Sequence, residues 1–243
     1  MAPDSVDDMY AGCTEKMEKL VKTTFLKQEI CNNTAQFGAA WINSTGQFPG
    51  SKKLKMHHLI AIYVYTGAEI PIYRAFNPSV RSGKQIYQNR TYKWYSLQFL
   101  LTEAIQILKK TQKGCKKTYR GTKLTFNETV LNTEVRFGSF ASSSTTKKVA
   151  ERFGKESCFK IKTCYGAEVT KYSSLKYEKE VLIPPYEKFR VIKIKKSGQK
   201  GVWCNTVFKL KSSGTQSNLN CNITSVKPKK YHNMVNIKYL NYL

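Results

Sequence analysis

The chain has 243 residues, 41% of them hydrophobic, which is enough for one large domain or two joined lobes. Its formal net charge of +25 implies attraction to polyanions such as nucleic acid, glycosaminoglycans or acidic membranes. Only seven of the 41 basic residues are Arg, so the charge is carried mainly by Lys, which lacks the forked geometry that reads bases. The longest apolar run, Leu59 to Tyr65, is too short for a bilayer, so no transmembrane segment is expected. Met1-Ala2-Pro3-Asp4 has no signal-peptide pattern, and Asn233 to Leu243 is too polar for a lipid-anchor tail.

Residues 1–112 read as a helical lobe. Asp7-Asp8 is the expected N-terminal cap of a first helix carrying Met17, Leu20, Val21 and Ile30 at helical spacing. Residues 33–55, rich in Asn, Ser, Gly and Lys, read as loop. A helix runs from Met56 to near Gly67, and a short one near Pro71 is interrupted by Pro78. The strongest helix spans Trp94 to Lys110, with Leu97, Leu101, Ile105 and Leu108 as its stripe and lysines at its C-terminal end.

After Gly114 the hydrophobic period shortens. Lys117–Gly121, Glu134–Phe140, Cys158–Cys164, Glu180–Ile183, Phe189–Ile194 and Thr206–Leu210 read as strands of a core over 113–212. Cys158-Phe159-Lys160-Ile161-Lys162 alternates, so one face of that strand is wet. A short helix is expected over Thr145–Phe153, capped by Ser144 and stopped by Gly154. Residues 213–243 read as a basic polar tail. Helices first and strands later give an α+β fold, one compact domain with the helices segregated from the sheet.

Seven cysteines, Cys13, Cys31, Cys115, Cys158, Cys164, Cys204 and Cys221, form no C-x-x-C, and the three histidines add no ligand spacing. No metal site is expected. Glycosylation sequons stand at Asn32, Asn43, Asn89, Asn127 and Asn222. Together with scattered cysteines they favour an oxidising, secretory setting.

Three motifs carry chemistry. Tyr119-Arg120-Gly121 closes the first strand, where a guanidinium and a bare backbone can approach a phosphate. Phe140-Ala141-Ser142-Ser143-Ser144-Thr145-Thr146 reads as a hydroxyl-rich stop to a strand, or, as such runs more commonly are, a turn and helix cap. Glu178-Lys179-Glu180 opens the run Val181–Ile183; on a strand its carboxylates would share a face, roughly 6–7 Å apart, with Lys179 pointing away. By residue type alone, an ordinary surface arginine and an exposed edge-strand charge pattern are the commoner readings.

In that order, Arg120, Ser142 and Glu178-x-Glu180 resemble the arginine-serine-glutamate signature of the mono-ADP-ribosyltransferases, specifically the vertebrate extracellular arginine-specific group. The likeness extends through Ala75–Arg81, Phe99–Thr102, Arg136–Ser144, Ile161–Cys164 and Glu180–Pro185. It implies a helical lobe packed on a mixed β-sandwich that binds NAD+ as a substrate. It implies transfer of ADP-ribose from NAD+ to arginine side chains of target proteins, with release of nicotinamide. By this resemblance Glu180 stabilises an oxocarbenium-like ribose, Ser142 orients Glu180, and Arg120 holds the phosphate side. Gly121 and Phe137 join the NAD+-binding set, and Glu178 goes with arginine acceptors. The loop Lys171–Tyr177 resembles the target-recognition loop, where Tyr172 or Tyr177 stacks on a ligand or simply packs at a strand end. Lys179 stands where commoner relatives have Glu.

The resemblance also implies disulfides Cys13–Cys221 and Cys115–Cys164. Cys158 and Cys204 remain as candidates for an extra pair, leaving Cys31 free, although connectivity does not follow from sequence. The expected protein is a secreted or cell-surface monomer. The alternatives are an NAD+ glycohydrolase, transfer to a nucleic-acid base, and an inactive polyanion-binding protein of the same fold.

Overall fold

The computed structural model describes residues 2–48 and 50–225. Most of the expected tail, 226–243, therefore lies outside the described residues. Helices come first: α1 (Thr14–Leu20), α2 (Leu26–Asn32), α3 (Phe37–Asn43), α4 (Met56–Thr66), α5 (Tyr73–Ser82), α6 (Lys84–Gln88) and α7 (Tyr95–Thr111). A π-helical turn, Val21–Phe25, joins α1 to α2. Strands follow: β1 (Lys116–Thr122), β2 (Glu134–Val135), β3 (Ala141–Ser144), β4 (Ser157–Thr163), β5 (Ala167–Glu168), β6 (Glu180–Ile183), β7 (Glu187–Lys196) and β8 (Thr206–Thr215). Two short helices, α8 (Lys147–Ala150) and α9 (Asn222–Ser225), complete the α+β fold.

The strands, expected as a sandwich, form one continuous eight-stranded sheet in the order β2-β7-β8-β4-β1-β3-β6-β5. It is mixed because β4 and β8 run parallel. The helical lobe buries an aromatic-rich core around α4 and α7, including Tyr65, Phe76, Trp94 and Phe99. Phe140, Val169 and Leu182 bring sheet-side segments into the same core. A second cluster, Phe159, Phe189, Phe208 and Leu210, fills the sheet's inner face.

Several local expectations change. Asp7 and Asp8 cap no helix; α1 starts at Cys13 without a side-chain cap. Asp7 is instead fully buried against Arg136, whose Nη1 donates to Asp7 Oδ2 at 2.7 Å, and it also accepts the backbone N–H groups of Asn218 and Leu219. Asp8 accepts from Tyr87 Oη and Cys221 N. A buried charge needs such partners, and this outweighs a cap worth about 1 kcal/mol. Residues 37–43 form α3 inside the expected loop, because Phe37, Ala40 and Trp41 find buried places there. Pro78 lies within α5 rather than ending it.

Disulfides join Cys13 to Cys221, Cys115 to Cys164 and Cys158 to Cys204, and Cys31 is free and exposed. The first fastens the chain's last described turn to its first helix. Asn32, Asn43, Asn89 and Asn127 are exposed; Asn222 is half-buried.

Candidate active site

β3 does most to build the site. Expected as the stop of a strand or a turn, Ala141–Ser144 is itself a strand because it is paired on both sides, with β6 (Ser142↔Leu182, Ser144↔Glu180) and with β1 (Tyr119↔Ser144). Central pairing outweighs the weak strand propensity of serine. Ser144 does double duty at the strand end: its Oγ donates to Glu178 O at 2.6 Å and accepts from Thr146 N, where the chain turns into α8.

The strand register brings Arg120, Gly121, Ser142, Glu178 and Glu180 around one cavity of about 210 Å³, closed on another side by Val149, Ala150 and Phe153. Arg120 Nη1 donates to Ser142 O at 2.6 Å, which fixes the guanidinium beside β3. Burial lowers the Arg120 pKa from its usual value. Gly121 has no alternative here: a Cβ would collide with the carbonyl oxygens of Ala150 and Gly154. The bare backbone lets the turn after α8 close over β1.

Glu178 is not on a strand. It ends a 3-10 turn, Lys176–Glu178, and Lys179 takes a left-handed conformation (φ 48°) before β6 begins at Glu180. The two carboxylates therefore share the cavity through a left-handed turn, not through strand alternation. Such a conformation costs a non-glycine residue roughly 1–2 kcal/mol. Lys179 is exposed.

Glu180 is buried, and burial pushes its carboxyl up to about 7. The Ser142 hydroxyl hydrogen-bonds it and pulls the other way, as do Ser173 and Arg120, while the Glu178 charge adds to the rise. Ser173 Oγ donates to Glu180 Oε2 at 3.4 Å. Burial also raises the Glu178 pKa, partly offset by the Arg152 guanidinium. A carboxylate near neutrality beside a second carboxylate is an arrangement suited to stabilising positive charge and moving a proton.

The helical lobe supplies parts that the sequence alone did not reveal. Tyr65 on α4 donates to Phe140 O at 3.2 Å and accepts from Asn77 Nδ2 at 3.1 Å; it also hydrogen-bonds with Ser142. Burial pushes this phenol up to about 12. Arg81 donates to Ser139 Oγ at 2.8 Å and adds positive charge near Arg120. Phe153 is 52% exposed although large and apolar, an open ring at the cavity wall. Of these, only Asn77 and Arg81 fell within a segment that carried the family resemblance.

Not every expected residue gathers here. Phe137 lies outside this cavity, packed edge-on to Phe159 and Phe189 beside a separate apolar pocket. Tyr172 packs against the helical core, with its hydroxyl 3.4 Å from Ser51 Oγ. Tyr177 is 60% exposed, one residue before Glu178. Among the described residues no group of three or more His, Cys, Asp or Glu side chains is placed to hold a metal, and no helix is long and apolar enough to cross a membrane.

The family model for NAD:arginine ADP-ribosyltransferases matches residues 1–217. The chain belongs to that family. It is 34% identical over 234 residues to the erythroblast NAD(P)(+)--arginine ADP-ribosyltransferase of Gallus gallus, covering 93% of this chain and 76% of that protein. It is 33% identical over 216 residues to ecto-ADP-ribosyltransferase 5 of Rattus norvegicus, covering 83% of this chain and 70% of that protein. The crystal structure of the eucaryotic mono-ADP-ribosyltransferase ART2.2 superposes with a TM-score of 0.74 at 33% identity, over 90% of this chain and 96% of that one. Mutants of ART2.2 have been solved in complex with NADH and with NAD. The chain is thus an enzyme of the ADP-ribosyltransferase class, with NAD+ as its substrate.

Proposed function

We propose that this cavity transfers ADP-ribose from NAD+ to the guanidinium of an arginine on a target protein. The single observation that carries the proposal is that Glu180, buried and only lightly hydrogen-bonded, faces the same cavity as Arg120, Ser142 and Glu178. Arg120 binds the pyrophosphate. Glu180 accepts a hydrogen bond from a ribose hydroxyl and stabilises the positive charge that grows on C1′ as its bond to nicotinamide breaks. The bonding pair leaves with nicotinamide as a neutral base. Ser142, held by the Tyr65 network, keeps Glu180 oriented. Glu178 receives the arginine, accepts a proton from the guanidinium, and leaves a nitrogen pair to attack C1′. The raised Glu178 pKa makes it a better base for that step. Exposed Tyr177, beside Glu178, is the part of the expected recognition loop best placed to meet a target.

The site is complete within one chain, which supports a monomer. Three disulfides and the ecto-enzyme relatives support an extracellular setting. The high positive charge supports polyanion attraction as a second property.

The test is incubation with labelled NAD+ and a small guanidino compound. Label on the compound that depends on Glu178 and Glu180 is expected. Nicotinamide release that is the same with and without the compound would replace transfer with hydrolysis.

A further inference from the structure

The sheet carries a second, unassigned feature. On β1, Lys117 and Tyr119 alternate with Thr118 and Arg120, and on β4 Lys160 and Lys162 alternate with Phe159 and Ile161, so these lysines project from the face away from the Phe159–Phe208 core. The register continues that face across neighbouring strands. Lys117 pairs with Lys162 on β4, and Lys162 with Lys211 on β8. Tyr119 pairs with Lys160, Lys160 with Lys209, and Lys209 with Lys193 on β7. Two cationic rows thus run across the strands, each spanning two strand spacings, roughly 10 Å.

Like charges directly opposite one another destabilise a sheet. Nothing on this face offsets them: none of these six lysines forms an ion pair with a carboxylate among the described residues. The carboxylates of Glu134 and Glu128 are engaged at the margin by Lys188 and Lys196. After Glu187 the sequence contains no further Asp or Glu. Between the rows lies a groove of about 370 Å³ lined by Lys117, Lys160, Lys162 and Lys209. By contrast, Glu18 on the helical lobe holds Lys22 and Lys55.

We propose that this lysine-lined face binds a sulfated polysaccharide, a glycosaminoglycan chain lying across the strands. A regular array of anionic groups is the ligand that matches rows of point charges on a sheet. Four features favour the polysaccharide over nucleic acid. The array is built of Lys, without the bidentate fork that reads bases. Its lysines stand on strands, not on a helix shaped to enter a groove. Its aromatic groups are occupied: Lys117 Nζ lies 5.9 Å from the Tyr119 ring centre, and Trp203 meets that ring edge-on, so no free ring is offered for base stacking. The three disulfides mark an oxidising setting, in which sulfated polysaccharide is the abundant polyanion. The inference does not depend on the transfer reaction.

The test measures binding of a fluorescent heparin fragment as a function of salt. Two variants have equal net charge. One carries Lys117→Gln, Lys160→Gln, Lys162→Gln and Lys209→Gln. The other carries Lys16→Gln, Lys19→Gln, Lys52→Gln and Lys53→Gln on exposed positions of the helical lobe. The sheet-face variant should lose at least tenfold in affinity, and its slope of log K against log salt should fall by about three. The helical-lobe variant should change by less than threefold. Arg at the same four sheet positions should retain binding, which separates charge from folding. Equal losses in both variants, or none in the sheet-face variant, would overturn the proposal. Tighter binding of a DNA duplex than of the heparin fragment, abolished by the same four Gln substitutions, would overturn the polysaccharide assignment.

Discussion

Glu180 and Glu187 bracket one short stretch of chain, and both are buried, yet they are treated in opposite ways. Glu187, on the side of Cys115–Cys164, accepts four hydrogen bonds, from Thr163 Oγ1, Cys164 N, Tyr165 N and Ser212 Oγ. Its oxygens are fully used, and it ties β4 to β7 and β8. Glu180 has the Ser142 hydroxyl and a 3.4 Å contact from Ser173, and otherwise faces the cavity. A buried carboxylate with saturated hydrogen bonding is scaffold; one left under-bonded beside a cavity keeps capacity for a ligand. Burial alone does not distinguish them, since it raises both pKa values.

Glu180→Gln tests the contrast most severely. It keeps the shape and removes the charge, so label transfer should fall on the order of a thousandfold while the melting temperature holds. A retained rate would make Glu180 scaffold as well. Glu178→Gln should cost transfer to arginine about a hundredfold and leave NAD+ hydrolysis nearly intact, as read by product analysis. Glu187→Ala should do the reverse: it strands four donors and costs roughly 3 kcal/mol in denaturant unfolding, with activity per folded molecule preserved.

The pH profile gives a finer distinction. In the proposed mechanism the ionised Glu180 carboxylate is the active form, and burial pushes its pKa up to about 7, so kcat/KM for transfer should fall up to tenfold per unit as pH drops below 7. Ser142→Ala removes a hydrogen bond that lowers that pKa, so the midpoint should move upward.

Glu29 supplies a third case. It meets the start of α7, with both oxygens accepting from Ser96 N at 3.1 Å, and burial pushes its pKa up to about 8 against a usual value of 4.5. The folded state therefore holds a proton that the unfolded chain releases. This contribution is fully present below 4.5 and is lost as pH rises through about 8. Glu29→Gln should flatten that decline in urea unfolding curves, without altering transfer.

The lesson about reading the chain lies in particular residues. The stripe Leu97, Leu101, Ile105, Leu108 announced α7, and the alternation in Cys158–Lys162 announced β4, because each element buries one face and the pattern is local. The serines of β3 look like a turn until both neighbouring strands are in place. Asp7 looks like a cap until Arg136 arrives from 129 residues away in the chain. Tyr65 and Phe153 carry no local signal of their place at the site.

The sequence by itself determined the order of helices and strands and the types of residue available for chemistry. Its motifs also carried the resemblance to a family. Only the tertiary structure decided which carboxylate is saturated and which is open, and how Glu178 reaches the cavity through a left-handed Lys179. It alone set the lysine rows on one face of the sheet, since strand register and burial are properties of contacts between residues far apart in the chain. Hydrogen-bond saturation, desolvation and cross-strand charge depend on those contacts, and no local pattern encodes them.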